Sequence, residues 1–364
     1  MQDRAKEYSL IKHRIALINI FLTPIVLFLF LILGIPTYAK GIVKPVSPNS
    51  YINLIVFTAI MGILYYIVML PLEYYSSFSL EHRFSLSNQT FKDWLKREFK
   101  KGIISFIIAI PITMVLYAFL RHWPLTWWFW TALFWFFISI ILAKFAPIVI
   151  VPLFYKYSHI KNPEIQKRIS GLVAKAGFKV SGVYELNISK DTKKANAALL
   201  GLGRQKRIVL CDTLIKNFTD EEIESVMAHE LGHHKMNHIW KLAITSGFFT
   251  FLAFFIANIF FIKLSNILGY ETLHSYESLI LIAFILSVVN IPLLPLQNAF
   301  SRRLERNADI FAFKLTGNID AFISTMKRIG EQNLSDTNPA GFYEIMLYDH
   351  PPIARRIKIA ESYK

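Results

Sequence analysis

The stretch IALINIFLTPIVLFLFLILGI, residues 15–35, contains no Asp, Glu, Lys or Arg. A helix needs about 20 consecutive apolar residues to cross the hydrocarbon core of a bilayer. Five more uncharged runs of similar length follow, at residues 52–72, 103–120, 123–143, 242–262 and 278–300. A single run of this kind could be a buried core helix, but six together predict a multi-pass membrane protein.

The amino-acid composition agrees with a membrane protein. Of the 364 residues, 54% are hydrophobic and 18% are charged, against about 25% charged in a soluble globular domain. The chain is also too apolar to be disordered. Its single cysteine, Cys211, excludes an internal disulfide framework and a zinc site built from several cysteines.

The net charge of the chain is +15, and segments rich in basic residues alternate with segments poor in them. Segments poor in Lys and Arg are 36–51, 121–122 and 263–277, whereas the N-terminus, 83–101, 156–241 and the C-terminal tail are rich. Because basic segments stay in the cytoplasm, both termini and residues 156–241 are predicted to be cytoplasmic. This pattern accounts for the charge, so we expect a lipid bilayer and no nucleic acid as partner. The first run exceeds the apolar core of a signal peptide and is predicted to be an uncleaved anchor.

A shorter apolar run at 145–155 contains Pro147 and Pro152. It fits a short seventh span, a re-entrant segment or a buried connector. A seventh crossing would break the alternation of basic segments, so we expect this run not to span the membrane. The polar regions 156–241 and 301–364 are each small for a domain, and we expect them to fold together.

The chain is therefore predicted to divide into four parts: an N-terminal membrane region at 1–155, a polar region at 156–241, two membrane helices at 242–300 and a second polar region at 301–364. Within the first polar region the pattern predicts helices near 162–177 and 220–238 and strands near 182–188 and 207–212. The later helix begins with Thr219-Asp220-Glu221-Glu222, a capping box in which the Thr and Glu side chains bind exposed backbone N–H groups.

Inside the 220–238 helix the sequence reads Ala228-His229-Glu230-Leu231-Gly232-His233-His234, which contains an H-E-x-x-H motif. His229 and His233 are four residues apart, so they share one helix face and can bind one zinc ion. Glu230 lies beside them, where it can accept a proton from a zinc-bound water. A solvated His/Glu face is the alternative interpretation.

Zinc requires a third protein ligand. A third His at the spacing H-E-x-x-H-x-x-G-x-x-H is disfavoured, because Met236 and Ile239 occupy the Gly and His positions. A Glu from a second helix is the other solution, and Glu305 in Ser301-Arg302-Arg303-Leu304-Glu305-Arg306-Asn307-Ala308-Asp309 is the candidate. Asp309, one turn later, could bind the free ring nitrogen of a ligand His.

Two further segments are candidates for contact with a substrate. In Asp349-His350-Pro351-Pro352, His350 could donate a hydrogen bond to an oxyanion, supported by Arg355 or Arg356; a turn His is equally compatible. Asn196, before the predicted strand at 207–212, could hold a peptide that adds to a sheet edge; a turn-forming Asn is equally compatible.

These pieces occur in one order: four apolar runs, Asn196-Ala197, a strand, H-E-x-x-H, two apolar runs, S-R-x-x-E-x-x-A-D and H-P-P. In that order nearly the whole chain resembles the zinc-dependent, integral-membrane type I CAAX prenyl proteases. The resemblance implies one zinc ion held by His229, His233 and Glu305, with Glu230 as catalytic base. It also implies that Asn196, His350 and Arg356 contact substrate or the transition state, and that Asp309 supports a ligand.

The expected fold is a mainly α, polytopic membrane protein with six to seven transmembrane helices and a small α+β catalytic domain of the zincin (gluzincin) type. Seven helices is the number that the resemblance implies. The connection between the 207–212 strand and the zinc helix lacks the long insert of eukaryotic relatives, which indicates a prokaryotic protein of the cytoplasmic membrane.

The expected activity is zinc-dependent hydrolysis of a peptide or protein substrate near the membrane. Removal of a-a-X from a prenylated C-a-a-X terminus and quality control of membrane proteins are both compatible with the sequence. A metal-binding transporter or channel would place ionisable residues within the spans, and the six runs contain no charged residue.

Overall fold

A computed structural model describes residues 2–200, 206–270 and 272–364. The helices are α1 Gln2–Ile32, α2 Ile35–Val43, α3 Ser50–Tyr74, α4 Leu80–Arg83, α5 Phe91–His122, α6 Trp127–Phe145, α7 Val151–Phe154, α8 Pro163–Lys175, α9 Asp212–Asn217, α10 Asp220–Lys235, α11 His238–Ile267, α12 Tyr276–Thr316, α13 Ile319–Gln332, α14 Gly341–Leu347 and α15 Ile353–Glu361. The strands are β1 Tyr157–His159, β2 Gly182–Leu186, β3 Ala197–Leu200 and β4 Arg207–Cys211.

Six helices in the described part of the chain are long and apolar enough to cross a bilayer, and each contains all or most of one of the six uncharged runs. The six predicted spans are therefore confirmed, and the seven that the resemblance implies are not found among these residues. The run at 145–155 continues the fourth span as a π-helical turn, Ala146–Ile150, followed by α7. Pro147 and Pro152 lack the N–H groups that a regular helix needs, which explains the change of winding there.

The segment poor in basic residues at 36–51 is partly helical, because it contains most of α2. Gly34 adopts the left-handed conformation (φ 67°) between α1 and α2, where a side chain would be strained. Ala39 and Val43 of α2 are then buried in a cluster that includes Phe57 of α3. The basic-residue pattern could not reveal this helix, because packing rather than charge holds it in place.

Loops that the charge pattern assigns to one side of the membrane contact one another. On the side poor in basic residues, Lys40 forms an ion pair with Glu277 at 3.0 Å, and Tyr276 donates a hydrogen bond to the Ser50 carbonyl at 2.8 Å. On the other side, Tyr8 near the N-terminus donates to Glu81 at 2.6 Å. The contacts thus group the loops as the alternation predicts.

A four-stranded sheet lies on the basic side, in the order β1-β2-β4-β3. β2 and β4 are parallel, whereas β1 and β3 run antiparallel to their neighbours. The strands predicted near 182–188 and 207–212 correspond to β2 and β4. β1 and β3 have three and four residues, too few to show a period along the sequence.

One apolar core joins the two polar regions. Ile208 and Leu210 of β4, Met227 of α10 and Ala312 of α12 belong to the same buried cluster. α12 is continuous from its apolar run at 278–300 into this core, so it connects the membrane with the polar part of the protein. The two regions therefore pack together, as expected from their size.

Candidate metal centre

The helix that carries H-E-x-x-H begins at the predicted capping box. Glu222 N–H donates to Thr219 Oγ1 at 3.3 Å, and Thr219 N–H donates to the Glu222 side chain at 2.9 Å. α10 ends at Lys235, three residues before the predicted end. Asn237 then adopts a left-handed conformation (φ 55°), so the residue that follows it, His238, begins α11.

His229 and His233 lie on one face of α10, as their spacing predicts. Their Nε2 atoms are 3.1 Å apart, and His229 is buried while His233 is half-buried. Gly232, between them, lies against α12: an added Cβ would be 3.2 Å from the Ala308 backbone. The close approach of the two helices at this glycine brings the histidines to the carboxylates of α12.

Glu305 completes the cluster from α12. One carboxylate oxygen is 3.2 Å from His229 Nε2, and the other is 3.2 Å from His233 Nε2. Glu305 is buried, and among the described residues no donor makes a well-aligned hydrogen bond to its Oε2. Two imidazole nitrogens and a carboxylate thus converge, and one buried oxygen of that carboxylate has no well-aligned donor among the described residues.

The donor set and its spacing fit a tetrahedral zinc ion. Ligand atoms about 2.0–2.1 Å from such an ion lie about 3.3 Å from each other. His229 Nε2 and His233 Nε2 are 3.1 Å apart, and each lies 3.2 Å from a different oxygen of Glu305. His₂Glu is also one of the ligand sets that leave a fourth position open.

Asp309 and Arg356 support the cluster from behind. Asp309 Oδ1 is 2.8 Å from His229 Nδ1, which directs the Nε2 of that ring towards Glu305. Burial disfavours a charged imidazole, but the hydrogen bonds with Asp309 and Glu305 outweigh it and raise the pKa of His229 to about 9. Arg356 from α15 donates to both carboxylate oxygens of Asp309.

Comparison with known proteins identifies the family. The sequence profile described as peptidase family M48 matches residues 159–364, more than half of the chain. The chain belongs to peptidase family M48. A second profile, described as the CAAX prenyl protease N-terminal region with five membrane helices, matches residues 2–156. In this M48 chain that range contains four of the six long apolar helices, together with the short α2.

Similar proteins support the assignment. The chain is 28% identical over 368 residues to the uncharacterized metalloprotease YhfN of Bacillus subtilis. This match covers 98% of this chain and 85% of that protein. It is 30% identical over 321 residues to CAAX prenyl protease 1 of Saccharomyces cerevisiae, covering 83% and 70% respectively. The crystal structure of S. mikatae Ste24p matches with a TM-score of 0.87 and 26% identity, covering 98% of this chain and 88% of that one. The protein is thus an integral, multi-pass membrane metalloprotease.

His350 of this M48 peptidase reaches the cluster from a loop. Its Nε2 is 3.2 Å from Glu305 Oε2, and its Nδ1 is 2.8 Å from Asp349 Oδ1. Arg302 of α12 donates to the Tyr348 carbonyl at 2.6 Å, which ties this loop to the helix that carries Glu305. The His350 side chain is 49% exposed, so it faces the open side of the centre.

Asn196 directly precedes β3, which is one of the two edge strands of the described sheet. Its carbonyl accepts a hydrogen bond from Cys211 N–H at 3.1 Å, and its side chain is exposed. The link to the centre runs along β3, because the Leu199 carbonyl is 3.0 Å from His234 Nε2. His234 follows His233 directly, so the edge strand lies against the metal-centre helix.

Sequence reasoning missed His238 as a neighbour of the M48 centre. Its Nδ1 is 3.2 Å from His233 Nδ1, and the residue has no exposed surface. His238 therefore contacts the Nδ1 atom of His233, just as Asp309 contacts the Nδ1 atom of His229. The contact depends on the helix break at Asn237, and such a break leaves no periodic signal in the sequence.

Proposed function

We propose that this M48 peptidase hydrolyses peptide bonds with one zinc ion held by His229, His233 and Glu305. The observation that carries the proposal is the convergence of one ligand atom from each of these three residues to within 4.8 Å of one another. One buried oxygen of the Glu305 carboxylate also lacks a well-aligned donor among the described residues. When bound, zinc acts as a Lewis acid and lowers the pKa of water towards 7.

Glu230 acts as the general base of the reaction. It follows His229 on α10 and is half-buried, so it lies next to the centre yet within reach of water. Its carboxylate accepts the proton of the attacking water and then delivers that proton to the leaving amine. One carboxylate thus serves both halves of the hydrolysis.

His350 stabilises the oxyanion of the tetrahedral intermediate. Its partly exposed ring lies 3.2 Å from Glu305, so it can donate to a carbonyl oxygen held on the open side of the centre. Arg356 acts through Asp309: its two hydrogen bonds fix the carboxylate that orients His229. We therefore assign Arg356 a positioning role, as an alternative to the direct substrate contact that the resemblance implies.

The peptide binds along the outer edge of β3, the edge that faces away from β4. Zinc endopeptidases use such edges to hold a substrate as an added strand. Asn196 directly precedes this strand, and the contact between Leu199 and His234 holds the strand against α10. Asn196 is thus placed to contact the backbone of a peptide at one end of the edge.

The substrate class we propose is a prenylated C-a-a-X terminus. The relative from Saccharomyces cerevisiae is named a CAAX prenyl protease, as is the profile that matches residues 2–156. Glu305 lies five residues beyond the apolar run at 278–300, so the centre is close to the membrane surface. A lipid-anchored peptide would meet it there.

We further propose that both termini and residues 156–241 face the cytoplasm, with the four-part division of the chain given above. The basic segments and the grouping of loop contacts support this orientation. Reporter fusions at residues 45 and 270 should both map outside. A cytoplasmic signal at both positions would overturn the topology.

The deciding experiment is cleavage of a farnesylated C-a-a-X peptide by the purified protein in detergent. Wild type, Glu230→Gln and an unprenylated peptide are compared side by side. Farnesyl-dependent cleavage by wild type alone supports the proposal. Zinc-dependent cleavage of both peptides indicates a broader membrane protease, and no cleavage of either overturns the CAAX assignment in favour of membrane-protein quality control.

A further inference from the structure

The residue that precedes Asn196 is held by a single side chain from a distant helix end. Ala195 N–H donates to Asn333 Oδ1 at 3.0 Å, and Asn333 Nδ2 donates to the Ala195 carbonyl at 3.4 Å. Both backbone groups of Ala195 are therefore bound by one carboxamide. A directly opposite residue of an adjacent antiparallel strand would make the same pair of bonds.

The alternation along an extended strand shows which edge Asn333 occupies. The Asn196 carbonyl accepts a hydrogen bond from Cys211 N–H, which continues the pairing of β3 with β4. The even-numbered residues of this stretch therefore direct their backbone N–H and C=O groups towards β4. In agreement, the Lys194 carbonyl accepts from Thr213, which follows β4 in the sequence. The odd-numbered residues, Ala195 among them, face the outer edge of β3.

Asn333 thus lies on the edge that we propose for the peptide. Its neighbour Gln332 donates to the Lys193 carbonyl at 2.6 Å, on the same outer edge. Further along, the Leu199 carbonyl is bound by His234. These contacts bracket the edge between Ala195 and Leu199, a distance of about 13 Å along an extended strand.

The position of Asn333 is itself fixed by its surroundings. Asn333 ends α13, and the next residue, Leu334, adopts a left-handed conformation (φ 51°) that is unfavourable for a residue with a Cβ. The Leu334 side chain is buried in a cluster with Tyr8, and its carbonyl accepts from Ser9 of α1 at 3.0 Å. A strained turn held by burial keeps the carboxamide in one place.

We infer that Asn333 is a positioning residue that closes the outer edge of β3 at Ala195 and so sets the register in which the peptide adds to that edge. A peptide strand cannot pair with Ala195 while the carboxamide holds both of its backbone groups. Its pairing is confined to the outer edge between Ala195 and Leu199, where the Ala197 N–H donates to Asn196 Oδ1 at 2.8 Å. Its scissile bond is placed relative to His233 and Glu305 accordingly. The inference rests on the proposed function.

The test compares Asn333→Ala with Asn318→Ala in the full-length protein. Asn318 caps the other end of α13 by accepting from Ala321 N–H at 2.9 Å, and its side chain has no described contact with β3. Both changes remove an Asn from an end of one helix, so they control for general loss of stability. Asn333→Asp keeps an acceptor for Ala195 N–H and serves as the conservative variant.

Cleavage of the farnesylated peptide is measured as KM, kcat and product masses, alongside zinc content and hydrogen exchange at residues 195–200. We expect Asn333→Ala to raise KM about tenfold, the effect of losing one or two hydrogen bonds, and to yield products cut at additional bonds. Its amides at 195–200 should exchange faster while zinc content stays unchanged. In Asn333→Asp, KM should lie between the values of Asn333→Ala and the wild type. Asn318→Ala should keep the wild-type KM and products.

Two results would overturn the inference: wild-type KM and products in Asn333→Ala, or equal changes in Asn333→Ala and Asn318→Ala. A wild-type protein that cleaves no peptide would count against the proposed function instead. Hydrogen exchange still tests the contact between Asn333 and Ala195 in that case. Unchanged exchange at 195–200 in Asn333→Ala would show that the carboxamide does not hold the strand.

Discussion

Arg356 donates a hydrogen bond to each carboxylate oxygen of Asp309, at 2.6 Å from Nη2 and 2.9 Å from Nε. Asp309 has no exposed surface, and its Oδ1 also lies 2.8 Å from His229 Nδ1. These three residues belong to α15, α12 and α10. A continuous chain of hydrogen bonds therefore connects the last helix of the protein with a proposed metal ligand.

Replacing Arg356 by Ala should damage both stability and metal binding. Asp309 would keep only His229 as its partner, and the loss of one partner from a buried ion pair costs about 3–5 kcal/mol. Because His229 would lose its fixed orientation, zinc affinity should fall about 10–100-fold. Thermal unfolding and zinc titration measure the two effects. Lys358→Ala, an exposed change on the same helix, is the control, and equal behaviour of the two variants would refute the coupling.

Glu230→Gln should separate metal binding from catalysis. The amide keeps the size of the side chain but cannot accept the proton, so kcat should fall at least about 10²–10⁴-fold. Zinc content should stay at the wild-type level, since Glu230 is not a proposed ligand. Glu224→Gln, on the same helix, is the matched control and should keep full activity. Wild-type rates in Glu230→Gln would remove this residue from the mechanism.

The local signals in the sequence predicted a large part of this structure. Uncharged runs located all six long apolar helices, and the box Thr219–Glu222 located the start of α10. The carboxylates at 305 and 309 were found because spacing of four residues marks one helix face. In each case the deciding interaction lies within a few residues of the chain or depends on burial alone.

Other features could not be predicted because their partners are distant in the sequence. The contact between Ala195 and Asn333 joins residues 138 positions apart. β3 is short, and His238 approaches His233 only because the helix breaks at Asn237. The resemblance implied seven membrane helices, whereas prolines bend residues 145–155 into an extension of the fourth.

Zinc affinity should depend on pH through His229. A histidine binds zinc only in its neutral form, and the hydrogen bonds with Asp309 and Glu305 raise the pKa of His229 to about 9 in the metal-free protein. Below that pH, zinc must displace a proton, so its apparent affinity should fall about tenfold for each unit of decreasing pH. Zinc titrations at pH 6, 7 and 8 measure this slope. An affinity that is constant over this range would contradict the proposed ligand.

Gly232→Ala should push α10 away from α12. The added Cβ would lie 3.2 Å from the backbone of Ala308 and 3.1 Å from Phe311, closer than ordinary contact. We expect a loss of about 1–3 kcal/mol in stability from overpacking, together with weaker zinc binding. Gly171→Ala on α8 has open space at the same position and should be neutral or stabilising. Unchanged zinc affinity in Gly232→Ala would show that the helices adjust without moving the ligands.

His238→Phe should weaken zinc binding without removing a ligand. His238 Nδ1 lies 3.2 Å from His233 Nδ1, and the loss of such a partner lowers metal affinity about 10–100-fold. His238→Gln, which retains hydrogen-bonding atoms, should recover part of the affinity. Competition with a zinc chelator measures both variants. Identical affinities in His238→Phe and wild type would remove His238 from the support of the centre.

The unbroken course of α12 determines how far above the lipid a bond can be cut. Its rise of about 1.5 Å per residue places Glu305 about 7.5 Å beyond the end of the apolar run at residue 300. This is comparable with the thickness of one headgroup layer, about 5–7 Å. Since one helix carries both the membrane segment and Glu305, the distance of Glu305 from the end of the apolar run is fixed. Under the proposed function, a bond next to a lipid anchor lies level with the centre, whereas one many residues above the membrane does not.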